Sequence, residues 1–389
     1  EIEKFAALDG IRDMEFCQAA VSRDALPRRG VARAWHSASC VVRVAVLLPL
    51  RVAIIACVMV LIWLNSRAIL CLQGEGGVGV GGSEGRQRAA LTPWQSRLFA
   101  VNGALYRCLL FAFGFLCVDV RGRPGWAEGP GRFVSAPTIV SNHVTLADAL
   151  LLGAAMRGRL TCVAVSWVGG IPCIASIARA HGVLLVKSAR EEAPKTARVR
   201  PQPEATVEGP PASQASRISA YQIERAANPS LLPLLIFPEG TTKAERCLAK
   251  FRTGAFLSGQ PVQPVVLRFP HTHDDLSWCG TEGIGANFRR MLTTWRNHAV
   301  VEWMEPYVPT ERERADPHAY AQGVQRAMAE HMALPPQLSS TTIDNKRLAD
   351  YIFSSSRPGD ADARTTGAMT APAWQTSDPQ PGSSRVTLS

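Results

Sequence analysis

The sequence predicts an α/β protein: a mixed β-sheet flanked by helices, with an N-terminal membrane-embedded helix or hairpin. Three observations carry this. Short apolar runs at 138–140, 183–186, 234–237 and 265–267 read as strands, and they alternate with helical stretches at 147–156 and 174–180. Residues 41–64 are almost wholly apolar. Hydrophobic residues make up 47% of the 389 and charged residues 19%, enough apolar material for a large core.

Residues 1–40 form a mixed, arginine-bearing tail with no clear element. The segment 41–72 is the expected membrane anchor. Its uncharged run, 52–66, is 15 residues long, short of the ~20 that span the hydrocarbon core. Extension takes in Pro49 and Arg51 on one side or Arg67 on the other, with either arginine reaching to the interface. Two forms fit: a spanning helix, or a re-entrant hairpin bent at Pro49. Residues 73–91 are a glycine-rich linker. It holds chance matches to GxGxxG (Gly74, Gly76, Gly79) and GxSxG (Gly81, Ser83, Gly85), both without the preceding strand and following helix those motifs need.

The body is expected over 92–335. Thr92-Pro93 reads as an N-cap and first helical position for a helix over 94–116 that suits a membrane interface or an ordinary core. A strand begins at 118. The body is interrupted at 188–214 by a proline-rich insertion without apolar period, read as disordered. Residues 336–389, rich in Ser, Thr, Pro and Asp, read as a disordered tail.

The net charge of +10 favours anionic partners such as a membrane surface or a phosphate-bearing substrate. No interleaved aromatic and basic pattern points to nucleic acid. Ten cysteines stand singly without a CxxC pair, which excludes a disulfide framework and suits a reducing compartment. His271 and His273 beside Asp274 lack a third spaced ligand, and no metal is expected there.

The segment that carries chemistry is Ser141-Asn142-His143-Val144-Thr145-Leu146-Ala147-Asp148, between a strand and an apolar helix. His143 and Asp148 are five residues apart. On one helix that spacing turns through about 140°, and the two side chains diverge. With His143 in the loop and the helix starting near Thr145, Asp148 can fold back. A carboxylate on one imidazole nitrogen then fixes the tautomer and leaves the other to take a proton from a hydroxyl. A capping box explains Thr145 and Asp148 without chemistry, but not His143. The second segment, 234–242, runs a strand into the turn Pro238-Glu239-Gly240-Thr241. Such a turn exposes backbone N–H groups suited to a phosphate or oxyanion. Glu239 can orient those groups or hold a substrate hydroxyl.

His143-x4-Asp148 followed by Phe237-Pro-Glu-Gly-Thr241 resembles the glycerolipid acyltransferase family. The likeness runs on through 248–256, 261–270 and 271–278 and upstream to 111–115 and 171–174, covering roughly 92–335. It is similar to the lysophosphatidylcholine and lysophosphatidylethanolamine acyltransferase branch. The resemblance implies that His143 is the general base on a lysophospholipid hydroxyl and that Asp148 orients it. It implies acyl-CoA as co-substrate, no cofactor or metal, and no covalent acyl-enzyme. Glu239, Gly240 and Thr241 would line the acceptor site. Pro264 and Arg268 would lie by the acyl-donor path or headgroup. The family's second motif has an arginine just after the strand at 183–186; here Arg190, or Lys187 as a point charge, stands there. The family implies the endoplasmic reticulum or another internal membrane, with the site facing the cytosol. No DxDxDG calcium loop occurs in this sequence. Two other readings stay open: lysophosphatidic acid or glycerol-3-phosphate specificity, and a catalytically silent membrane protein that binds lipid or acts as a scaffold.

Overall fold

Alternation along the strands decides the layers. In the computed structural model, which describes residues 41–73, 91–122, 124, 136, 138–187, 214–242, 247–270, 276–278, 284–334 and 386–387, one mixed sheet separates two helical layers. The glycine-rich linker, Arg190, the proline-rich insertion and the His271–His273 run lie outside these residues.

The chain enters as a π-helical turn, Arg43–Leu47, followed by α1, Leu48–Gln73. Then come α2 (Pro93–Ala112), β1 (Phe115–Arg121), β2 (Thr138–Ser141), α3 (Asp148–Ala155), β3 (Thr161–Val165), α4 (Pro172–Ala180) and β4 (Leu184–Val186). The second half supplies α5 (Gln214–Ala227), β5 (Leu234–Ile236), β6 (Val262–Arg268), α6 (Ile284–Thr293), β7 (Asn297–Trp303), α7 (Glu311–Ala315) and α8 (Pro317–His331). A two-residue strand, β8 (Val386–Thr387), comes from the stretch read as a disordered tail and pairs antiparallel with β1.

The strand order is β4-β3-β5-β2-β6-β7-β1-β8. From β4 to β6 all neighbours are parallel, β6 and β7 are antiparallel, and β7 and β1 are parallel again. Val265, Leu267 and Phe269 face one layer with Val58 and Ile62 of α1, Leu109 and Leu110 of α2, Leu151 and Leu152 of α3, and Met291 of α6. Val262 and Val266 face the other, with Tyr221 of α5 and Tyr320, Val324 and Met328 of α8. The period of two along β6 and the spacing of four along α8 are the side-chain repeats of strand and helix. β2 lies between β5 and β6, so the loops at the carboxyl ends of β2 and β5 are neighbours, the usual place for a site in a parallel sheet.

Of the two forms expected for the N-terminal segment, the helix is observed. Pro49 falls within the continuous helical stretch 41–73, where its ring crowds the preceding turn. The wider π turn just before it absorbs the ring. Within Arg43–Leu72 an 18-residue stretch reaches a mean hydropathy of 2.7, and the 30-residue helix is long enough to cross a membrane. α1 also lies along the domain. It buries Arg51, Val58, Ile62, Ser66 and Ile69 on one side, and exposes Val52, Val60, Leu61, Leu64 and Leu72 on the other. Asn65 ties it to α2, donating to Leu98 O and Asn102 Oδ1, each at 2.8 Å.

Arg51 departs from expectation. It does not reach to an interface but is 6% exposed. Its guanidinium donates to the carbonyls of Leu292 (2.8 Å), Thr294 (2.6 Å) and Trp295 (3.1 Å), at the C-terminal end of α6. A planar fork of donors suits a helix end whose last carbonyls have no intrahelical partner. A Cβ at Gly114, where φ is +89°, would stand 2.9 Å from Arg51 Nη2. That positive φ stops α2 at Ala112 and starts β1 at Phe115, earlier than the sequence suggested.

α2 begins as expected. Thr92 Oγ1 accepts from Gln95 N–H at 3.2 Å and Gln95 Oε1 accepts from Thr92 N–H at 2.8 Å, a complete capping box with Pro93 at the first position. Its buried face carries Asn102 and Tyr106 to His181, at the end of α4. His181 Nδ1–H donates to Leu160 O at 3.0 Å. That leaves Nε2 to accept from Tyr106 OH at 2.9 Å and Asn102 Nδ2 at 3.1 Å. Burial pulls this imidazole down to about 4, against the opposing pull of the Leu160 carbonyl.

Two outcomes follow from these packings. Arg51→Met should lower stability by on the order of 2–3 kcal/mol, because charged hydrogen bonds to three carbonyls are lost. Leu61→Ala on the outer face should leave thermal unfolding in detergent nearly unchanged. His181 is held neutral when folded and regains an ordinary value when unfolded. The unfolded chain therefore binds the extra proton as pH falls from about 6.5 toward about 4. The folded state should lose about 2 kcal/mol from this group between pH 7 and pH 5. Urea midpoints against pH should show a flatter acid limb in His181→Gln, whatever its stability at neutral pH.

Candidate active site

β2 ends at Ser141, and α3 starts at Asp148 itself. The loop between them is closed by one carboxylate. Asp148 is fully buried. Its Oδ2 accepts from Val144 N–H at 2.6 Å and Thr145 N–H at 3.0 Å. Its Oδ1 accepts from Thr145 N–H at 3.1 Å and the Thr145 hydroxyl at 2.9 Å. Thr145 Oγ1 accepts in turn from Ala147 N–H at 3.0 Å. These loop bonds fold Asp148 back over the loop, and there Oδ2 meets His143 Nδ1 at 2.8 Å. The expected capping box is not formed: the helix starts at Asp148 after Ala147, without a side-chain cap, and Asp148 closes the preceding loop instead.

With Asp148 accepting at Nδ1, the proton sits on Nδ1 and the Nε2 lone pair is open to a substrate. The His143 side chain is 23% exposed, enough for access. The Phe237 ring stacks on the imidazole at 4.1 Å between centroids and 14° between planes. Asn142, buried beside it, donates to Leu267 O at 2.9 Å and accepts from Leu267 N–H at 2.8 Å. Its amide extends the β2–β6 ladder one step past the strand end and fixes where the loop begins. Trp278 N–H donates to Val144 O at 2.9 Å and holds the loop from the other side.

Glu239 lies where β5 turns, and it is 1% exposed. One carboxylate oxygen accepts from His143 N–H at 3.2 Å, the other from Ala249 N–H at 2.8 Å. In this geometry Glu239 clamps the two loops together through their backbones. Gly240 N–H donates to Phe237 O at 3.0 Å and closes the turn with φ at +70°, which glycine adopts without strain. Thr241 follows, half-buried. The turn expected from the sequence is therefore adjacent to the dyad.

Two of the other expected site residues point elsewhere. Pro264 is buried inside the sheet, paired with Val140 of β2. Arg268 leaves β6 on the face of α5 and α8, opposite to the face where Phe237 and Val144 pack. Its Nε binds Glu302 Oε2 at 2.8 Å, and its Nη2 donates to His331 O at 3.1 Å. Glu302 also binds Arg121 at 2.9 Å and His331 Nε2 at 3.2 Å. Burial alone would raise this carboxyl, but the His331 and Arg268 hydrogen bonds outweigh it and hold it at about 2. Asn142 and Phe237 stand in the two motif segments read from the sequence, but no role was assigned to either there. Among the described residues, no three His, Cys, Asp or Glu side chains gather as a metal site requires.

A family model described as Acyltransferase matches residues 135–268, a span that contains β2 to β6 and both loops of the site. Lysophospholipid acyltransferase LPEAT2 of Arabidopsis thaliana is 31% identical over 238 residues, 61% of this chain and 38% of that protein. Lysophospholipid acyltransferase LPCAT4 of Homo sapiens is 28% identical over 295 residues, 75% of this chain and 49% of that protein. Human lysophosphatidylcholine acyltransferase 1 is 39% identical over 137 residues, 34% of this chain and 25% of that protein. The chain therefore spans about half or less of the length of the curated relatives it matches. A solved structure, the 1-acyl-sn-glycerophosphate acyltransferase PlsC of Thermotoga maritima, covers 70% of this chain and 96% of its own at 15% identity and a TM-score of 0.32, too slight a likeness to bear on the site. Residues 135–268 thus resemble the Acyltransferase family, and the relatives they align with are named as lysophospholipid and lysophosphatidylcholine acyltransferases.

Proposed function

We propose that the protein transfers the acyl group of an acyl-CoA to the free hydroxyl of a lysophospholipid, lysophosphatidylcholine or lysophosphatidylethanolamine, at a membrane surface. The observation that carries this is the His143–Asp148 pair: Nδ1 bound at 2.8 Å by a fully buried carboxylate, Nε2 left for the acceptor. In the reaction, Nε2 takes the proton of the glycerol hydroxyl as its oxygen attacks the thioester carbon. Asp148 holds the tautomer and balances the imidazolium that forms. The tetrahedral intermediate then expels the CoA sulfur, and the imidazolium returns the proton to it. His143 and Asp148 supply both proton steps, with no covalent acyl-enzyme and no metal in the sequence of events.

The lipid-facing surface follows from the exposed side chains of the two leading helices. α1 exposes Val52, Val60, Leu61 and Leu64, and α2 exposes Trp94, Val101 and Phe111. Trp94 and Val101, seven apart, lie nearly in line along α2, and Phe111 lies about 100° round from Trp94 on the same outer face. A bilayer is the partner that covers such apolar faces, and the acceptor lipid comes from it. Exposed thiols at Cys57, Cys71, Cys108 and Cys173 suit a reducing side, hence a cytosol-facing site on the endoplasmic reticulum or another internal membrane.

CoA release from a long-chain acyl-CoA, followed with a panel of lysophospholipids, tests this reading. Acceptor-dependent release should disappear in His143→Ala. Asp148→Asn should lower kcat by about 10²–10⁴-fold, because the wrong tautomer is favoured. Release in the wild type that survives His143→Ala would remove the general-base assignment, and none with any acceptor would leave the silent lipid-binding reading. Glu239→Gln keeps one acceptor for two backbone donors. It should cost about 1–3 kcal/mol in denaturant unfolding, and lower kcat more than it raises KM.

A further inference from the structure

The dyad accounts for the proton, but both proposed substrates also bring phosphate into the site. Two of the cations nominated from the sequence do not meet it there. Arg268 is taken up by Glu302 and His331 on the other face of the sheet. Lys187 follows β4, at the sheet edge, separated from β2 by β3 and β5. Arg190 lies outside the described residues.

Among the described residues, the cation laid against the site is Arg252. Its backbone N–H donates to Pro238 O at 2.8 Å, which pins the root of the side chain beside the Glu239-Gly240 turn. Its guanidinium crosses over Gly240. A Cβ built at that glycine would stand 2.8 Å from Arg252 Nε and 2.9 Å from Cζ. Gly240 thus serves twice, through its positive φ and through the space its missing side chain leaves. Next along the chain, Glu239 clamps the His143 backbone, so the guanidinium and the dyad share one rigid turn. Arg252 is exposed. Among the described residues its guanidinium has no recorded hydrogen bond or ion pair, whereas those of Arg51, Arg121 and Arg268 are all engaged.

We propose that Arg252 is the phosphate-binding residue of this site, its guanidinium binding a phosphate group of the lysophospholipid or of CoA across the Gly240-Thr241 turn. The proposal rests on the acyltransferase reading above. A planar fork of donors matches two phosphate oxygens at once, and lysine does not reproduce that geometry.

Steady-state CoA release by the full chain in lysophospholipid micelles, with each substrate varied in turn, reads the effect. Arg252→Ala should raise one KM at least tenfold while kcat changes less than threefold, and Arg252→Lys should recover only part. A rise in the acceptor KM, with lost preference for lysophosphatidylcholine over monoacylglycerol, assigns the lipid phosphate. A rise in the acyl-CoA KM, with lost discrimination against the 3′-dephospho-CoA thioester, assigns the CoA phosphate. Lys250→Ala, an exposed cation two residues away, should leave both KM values unchanged. Both KM values unmoved in Arg252→Ala, a fall confined to kcat, or an equal effect of Lys250→Ala would overturn the proposal. Thermal shifts with coenzyme A and with sn-glycero-3-phosphocholine separate it from the reaction itself. A shift in the wild type that is lost in Arg252→Ala upholds the phosphate ligand even if no acceptor is turned over. No shift from either probe in a wild type that also turns over no acceptor overturns it.

Discussion

The buried carboxylate of Asp148 is the constraint on which the site depends. It collects two backbone N–H groups, a hydroxyl and an imidazole within one loop. A carboxylate at zero exposure is expensive to hold unless every lone pair is occupied. Here the occupants are donors of the loop that precedes α3, from His143 to Thr145. The same bonds that make burial tolerable therefore fix the start of the helix, the path of the loop and the direction of His143. Position and chemistry are not separable at this residue.

Around that centre the structure holds the loop from several sides. Asn142 extends the sheet past β2, Phe237 supplies a flat surface under the imidazole, and Glu239 grips the His143 backbone from the β5 turn. Each comes from a strand neighbouring β2 or from β2 itself, which is why the order β5-β2-β6 matters. A general base must be held to a fraction of an ångström, and rigid elements do this better than a free loop.

The leading helix belongs to this frame as well. Arg51 closes the carbonyl end of α6, and α6 in turn anchors Leu276 through Asn287 Nδ2 at 3.0 Å. Leu276 is two residues from Trp278, which bonds the His143 loop at Val144. An apolar helix that would pass for a simple anchor is thereby docked along the layer that carries the His143 loop, with polar contacts on its inner side and a mostly apolar outer side.

The α/β class, the strands at 138–141, 184–186, 234–236 and 262–268, the Thr92 cap and the His143–Asp148 pairing were legible in the sequence, because each rests on local periodicity or short-range capping. β3 and β7 were not identified, although Ala299, Val301 and Trp303 alternate along β7. What the sequence could not reveal depends on strand order and on which face a side chain leaves. Arg268 and Arg252 stand in neighbouring motif segments and look equally available as cations. Only the alternation of β6 sends one to Glu302, and only the left-handed turn at Gly240 brings the other over the site. Arg51 and Glu239 teach the same point. A residue's type and its local spacing give its chemistry, but its partners lie far away in the chain, and long-range packing alone decides whether that chemistry is spent on the fold or left for a substrate.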